Sequence, residues 1–100
     1  DVRKDSPTFM KWCATVVSEE NCKQVHVPAY CLHGVMAIEP GTRLLYLQGG
    51  TFQPALESDC TPFEELFGIH WPLPDMSKVI VSERDRNAPA ISADNRLPEL

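Results

Sequence analysis

Residues 33–48 read HGVMAIEPGTRLLYLQ, and their pattern decides the fold class. His33 to Ile38 is a short apolar segment, and Arg43 to Gln48 is a second one with strand character. Between them, Glu39-Pro40-Gly41-Thr42 puts Pro-Gly at the centre of a turn, where Pro sets φ and Gly accepts a positive one. The pair is a predicted hairpin. In its second arm Leu45 and Leu47 share one face, and Leu44, Tyr46 and Gln48 share the other, because side chains alternate along a strand. A face carrying Tyr46 and Gln48 is half polar. The lining of a ligand-holding sheet has that character, and so does a solvent-facing sheet.

Outward from this hairpin the local signal stays β. Phe9 to Val17 (FMKWCATVV) is rich in aromatic and β-branched residues, and Ser18-Glu19-Glu20-Asn21 is a polar break suited to a turn. Gln24 to Val27 alternates until Pro28 interrupts it, and Lys78 to Ser82 (KVIVS) reads as a last strand. Residues 51–77 are expected to be irregular, with a helical turn near Phe63 to Leu66, and residues 92–100 read as a polar tail. Short strands punctuated by turns predict an all-β sandwich or barrel. About five strands are too few to close a sandwich with covered edges. The missing strands are expected from more of the same polypeptide or from another chain.

Composition excludes several classes. At 100 residues the chain is at most one domain, and 43% hydrophobic with 23% charged residues is ordinary for a soluble globular unit. No apolar run approaches the roughly 20 residues that cross a bilayer as a helix, so no membrane partner is expected. The net charge is −5, and nine Lys and Arg form no cluster, which argues against nucleic acid. The first residue is Asp1 with no basic-plus-apolar leader, so the chain is expected to be processed or a fragment. Cys13, Cys22, Cys31 and Cys60 include no C-x-x-C pair; reduced, mostly buried thiols and a cytoplasmic setting are expected. His26, His33 and His70 lack the close spacing that places two imidazoles on one metal, so no metal is expected.

DVRKDSPTF at 1–9, VHVPAYCLHGVMAIEPGTRLLY at 25–46, FGIHWPLP at 67–74 and VSERDRNAP at 81–89, in that order, resemble blocks of the dTDP-4-dehydrorhamnose 3,5-epimerase family. The first is similar to its Asp-x-Arg…Ser-Pro-Thr-Phe, and the second to its strand–turn–strand segment. The third resembles its Gly-Ile-x-Trp-Pro, and the fourth its Ser-Glu-Lys/Arg-Asp…Ala-Pro. The resemblance implies a cupin-like jelly roll, usually a homodimer, acting on a dTDP-linked 4-keto-6-deoxy sugar without metal or organic cofactor. On it, residues 1–91 are the C-terminal portion of one such domain, incomplete at the N-terminus, followed by the tail 92–100. The implied reaction inverts carbons 3 and 5. A proton α to the ketone leaves one face, an enolate forms, and a proton returns on the other face.

The resemblance also assigns residues. Tyr46 matches the family's proposed proton donor; a phenol holds its proton at neutral pH and can give it to an enolate carbon. Without the motif it would read as a strand tyrosine packed for area. Asp85 matches the carboxylate that pairs with the catalytic histidine; otherwise it is a loop aspartate between Arg84 and Arg86. His33 matches a substrate-contacting histidine, Glu57 a glutamate that helps hold the substrate, and Arg84 a cation directed at the diphosphate. Phe52 stands where a tyrosine usually stacks on thymine. Gly68, Trp71 and Pro72 read as structural, and Glu64-Glu65 as a solvated face.

Departures from the pattern bear on function. The family's catalytic histidine, a neighbouring arginine and a lysine all precede the Asp-x-Arg block, so the base is expected outside this chain, which alone would not epimerise. Tyr30 replaces a glycine, and CTPFEELF replaces the usual Arg-Trp-Asp-Asp-Pro stretch. Together with Phe52, these changes leave substrate identity open: a relative acting at one carbon only, or one acting on another 4-keto sugar nucleotide. A non-catalytic cupin that binds a sugar nucleotide or carbohydrate is the alternative.

Overall fold

The computed structural model describes residues 1–73 and 75–91. The tail 92–100 lies outside the described residues. The N-terminal block folds around one carboxylate. Arg3 donates to Asp1 through Nε (2.8 Å), Nη2 (2.7 Å) and its backbone N–H (3.0 Å). The hydroxyls of Ser6 and Thr8 both donate to Asp1 Oδ2 at 2.5 Å. This closes residues 1–10 into a knot, with the Met10 N–H on the Asp1 carbonyl (2.8 Å) and Met10 at φ +62°. Beside it, Val2 is buried; at the other end of the described chain so is Ile91.

The sequence's turns are present in the middle of the chain. At Ser18–Asn21 each backbone N–H is held by the other residue's side chain, at 3.1 and 3.3 Å. At Pro40-Gly41, Gly41 takes φ +76° and Thr42 Oγ1 closes the turn on the Glu39 carbonyl at 2.7 Å. Residues 43–48 keep a two-residue alternation: Leu44 and Tyr46 are 49% and 59% exposed, Leu45 and Leu47 85% and 94%. Among the described residues no backbone ladder joins these segments. A strand is stable only when a neighbour satisfies its N–H and C=O groups. None of the strands expected over 9–17, 24–27, 33–38 and 43–48 therefore forms among the described residues, and many of their apolar side chains stay exposed.

Residues 54–86 form short helical turns: Pro54–Leu56, Glu65–Phe67, Met76–Lys78 and a single α-turn, Glu83–Arg86. The turn expected near Phe63 to Leu66 is displaced by one or two residues. It starts at Glu64, whose carboxylate accepts from the Leu66 N–H (3.1 Å). Glu64 also accepts from the N–H of buried Ile91 at 2.8 Å, so it is a clamp on the C-terminal segment rather than part of a solvated face. Trp71 donates from Nε1 to the Pro62 carbonyl (2.9 Å), and its ring closes on Gly34. The strand expected over 78–82 does not form: Asp75 caps the turn that contains Lys78, and no backbone ladder pairs the residues after it among the described residues.

The chain exposes 8753 Å², against about 5,700 Å² for a folded monomer of this mass. Phe9, Trp12, Val25, Ile38 and Ile80 all contribute to the excess. The thiols follow suit. Cys13 and Cys22 are exposed and Cys31 and Cys60 half-buried, which corrects the expectation of mostly buried cysteines. Thiols are buried by the layer packed over them, and the segments carrying Cys13 and Cys22 have none.

Candidate functional site

Two of the residues singled out from sequence meet directly. The rings of His33 and Tyr46 lie 6.0 Å apart between centroids, tilted by 59°. They sit on the two arms flanking the Pro40-Gly41 turn, which doubles the chain back so that positions 33 and 46 face each other. Both rings are exposed on the inner wall of an open hollow of ≈ 3340 Å³. Pockets for small ligands hold about 300–1,000 Å³. The hollow is thus a trough, several times too wide to grip a sugar by itself.

Glu57 and Asp85 also border this open space, as do more than half of the described residues, so it does not by itself bring them to His33 and Tyr46; Phe52 and Arg84 do not border it. Asp85 is fixed by Ser82: the Ser82 hydroxyl donates to Asp85 Oδ2 at 2.7 Å, and the Asp85 N–H donates back to Ser82 Oγ at 3.0 Å. Ser82 thereby caps the start of Glu83–Arg86, and Asp85 Oδ1 is left without a partner among the described residues. The sequence reading passes over Ser82, although Ser-x-x-Asp at 82–85 is a legible helix-start signal.

Arg84 does not pair with Asp85. It donates from Nε (2.8 Å) and Nη2 (2.8 Å) to the two oxygens of Asp59, and from Nη2 to Glu57 at 3.4 Å. Asp59 first, then Glu57, push the guanidinium above its ordinary range. Asp59 has no signal in the sequence, since its partner lies 25 residues away. Phe52 is exposed and precedes the Pro54–Leu56 turn, apart from both groups. Among the described residues no three His, Cys, Asp or Glu side chains gather as a metal cluster, and no helix is long and apolar enough to cross a membrane.

Comparison with known proteins decides the relationship. The family model described as dTDP-4-dehydrorhamnose 3,5-epimerase matches residues 1–93. The chain belongs to the dTDP-4-dehydrorhamnose 3,5-epimerase family. It is 31% identical to the dTDP-4-dehydrorhamnose 3,5-epimerase of Salmonella typhimurium, with 91% of this chain and 49% of the relative covered. It is 27% identical to the enzyme of the same name from Mycobacterium tuberculosis, over 98% of the chain and 50% of the relative. It is 32% identical to a dTDP-4-dehydro-6-deoxyglucose 3-epimerase of Streptomyces bikiniensis, over 97% and 48%. No solved structure matches. The chain spans about half the length of the curated relatives it matches. Within this epimerase family, Tyr30 stands where the resemblance places a glycine, and it adopts φ +64°, the left-handed conformation a glycine takes without strain.

Proposed function

We propose that the protein carrying this chain is an isomerase that inverts a dTDP-linked 4-keto-6-deoxy sugar at a carbon next to the ketone. The match to the epimerase family over residues 1–93 carries this reading. In it, the 100 residues form the C-terminal part of a cupin-like jelly roll, and further polypeptide supplies the strands that cover the trough and the histidine base. The assembled protein is a homodimer in the cytoplasm; the free thiols of Cys13, Cys22 and Cys31 suit a reducing compartment.

Each residue has a task. Tyr46 holds a proton on the face opposite the base and delivers it to the enolate carbon. His33, against the Tyr46 ring, contacts the sugar and keeps the phenol in line. Asp85, its Oδ2 tied to Ser82, offers Oδ1 to the imidazole, setting its tautomer and stabilising its cation. Glu57 holds the sugar, Arg84 directs its free Nη1 to the diphosphate, and Phe52 stacks on the thymine. Chemically, the ketone makes the adjacent C–H acidic enough to remove because the carbanion spreads onto oxygen. Both 3,5-epimerases and 3-epimerases are among the relatives, so one inversion or two fits the same residues.

The test is turnover of dTDP-4-dehydro-6-deoxyglucose by the full natural polypeptide in D2O, followed by NMR. Deuterium entering position 3, or positions 3 and 5, is expected. Protein that exchanges neither carbon is not an epimerase of this substrate.

A further inference from the structure

Arg84 is an exposed, long side chain on a four-residue helical turn, which ordinarily leaves a guanidinium free to sample many rotamers. Here it is held. Asp59 takes its Nε and Nη2 hydrogens side-on, both at 2.8 Å, and the second Nη2 contact runs to Glu57 at 3.4 Å. Three of the five N–H groups are thereby directed at carboxylates. The two on Nη1 have no partner among the described residues. Asp59 itself is half-buried beside Glu57, on the loop that follows the Pro54–Leu56 turn.

We propose that Asp59 is a positioning residue for this reaction: it locks the Arg84 guanidinium so that the Nη1 edge is the one presented to an anionic group of the substrate. The same fork ties the loop carrying Glu57 to the helical turn carrying Asp85, 25 residues further along the chain. It thus fixes a sugar-holding carboxylate relative to the dyad carboxylate. This rests on the epimerase reading above, and on its placing of the diphosphate near Arg84. Side-on bidentate pairing is the geometry that makes an exposed ion pair count, since both charges are held in one plane. The opposing effect is that Asp59 and Glu57 offset the charge of Arg84. If that effect won, Asp59 would compete with the diphosphate instead of preparing its site.

The experiment uses the full natural polypeptide, with dTDP affinity from titration calorimetry and kcat and KM for dTDP-4-dehydro-6-deoxyglucose. Asp59→Ala is expected to weaken dTDP binding and raise KM by about fivefold, with kcat within about twofold. Asp59→Glu should recover part of the loss. In an Arg84→Ala background the Asp59→Ala change should add nothing further. Asp59→Asn, which keeps shape and one acceptor, guards against a folding defect, and the Arg84 Nε–H resonance should lose its protection in both variants. Unchanged or tighter dTDP binding in Asp59→Ala overturns the proposal, as does an effect that persists without Arg84. Wild-type protein that neither binds dTDP nor exchanges deuterium removes the epimerase reading and the Asp59 role together. Wild-type turnover with a silent Asp59→Ala removes the Asp59 role alone.

Discussion

His33 and Tyr46 face each other across the Pro40-Gly41 turn with ring centroids 6.0 Å apart and planes tilted by 59°. That separation lies in the range of favourable tilted ring pairs. It places the imidazole proposed to contact the substrate against the phenol that the proposed mechanism uses as acid.

Tyr46→Phe keeps the ring contact and removes only the hydroxyl. In the full natural polypeptide it is expected to lower the inversion rate by about 10²- to 10⁴-fold. Proton removal by the base on the other face should continue, so deuterium should still enter the recovered substrate. Wild-type inversion rates in Tyr46→Phe would show that another group returns the proton.

Tyr30 bears a left-handed backbone at φ +64° with its side chain exposed. For a residue with a Cβ this conformation costs about 1–2 kcal/mol, partly matched by the greater chain entropy of glycine when unfolded. Tyr30→Gly is expected to raise stability by up to about 1 kcal/mol, visible as a higher Tm. A lower Tm would mean that the Tyr30 ring packs against something that outweighs the strain.

Gly34 packs tightly against Trp71. A Cβ there would stand 3.3 Å from Trp71 Cη2, and the indole is anchored by its 2.9 Å hydrogen bond to Pro62. Gly34→Ala is therefore expected to destabilise by about 1 kcal/mol and to shift the tryptophan emission. Placing the same substitution in a Trp71→Phe background, where the anchor is gone, should cost less. Equal costs in both backgrounds would remove Trp71 as the cause.

Asp75 caps the Met76–Lys78 turn by accepting from the Ser77 hydroxyl (2.6 Å) and N–H (3.0 Å). The Ser77 hydroxyl first, then its N–H, hold the carboxyl below the ordinary aspartate range. A depressed folded-state value means that the cap stabilises fully above the unfolded value and is lost as pH falls through the folded one. The Ser77 amide resonance should therefore move only below the ordinary aspartate range, and Asp75→Asn should abolish that titration. A midpoint at or above that range would contradict the cap.

What was legible in the sequence was local. Pro40-Gly41 and Ser18–Asn21 form turns because their side chains and backbone preferences act within four residues. The alternation of Leu44 to Leu47 survives for the same reason, and four motif blocks suffice to place the chain in its family. Contacts between distant segments were not legible. Glu64 reads as solvated until Ile91 arrives at its carboxylate, and Arg84 reads as a free cation until Asp59 occupies it. Nothing in local pattern or propensity encodes which acid, 25 or 27 positions away, a long side chain will reach.

The amino-acid order by itself determined the family and the turns, and it suggested the phenol and carboxylate of the proposed site. Only the three-dimensional arrangement decided that His33 lies on Tyr46, that Ser82 steers Asp85, and that Tyr30 accepts a glycine's conformation. The physical reason is range. Backbone preference and side-chain alternation are set by neighbours in the chain, whereas ring contacts, ion pairs and tolerated strain depend on which segments the fold brings within a few ångströms.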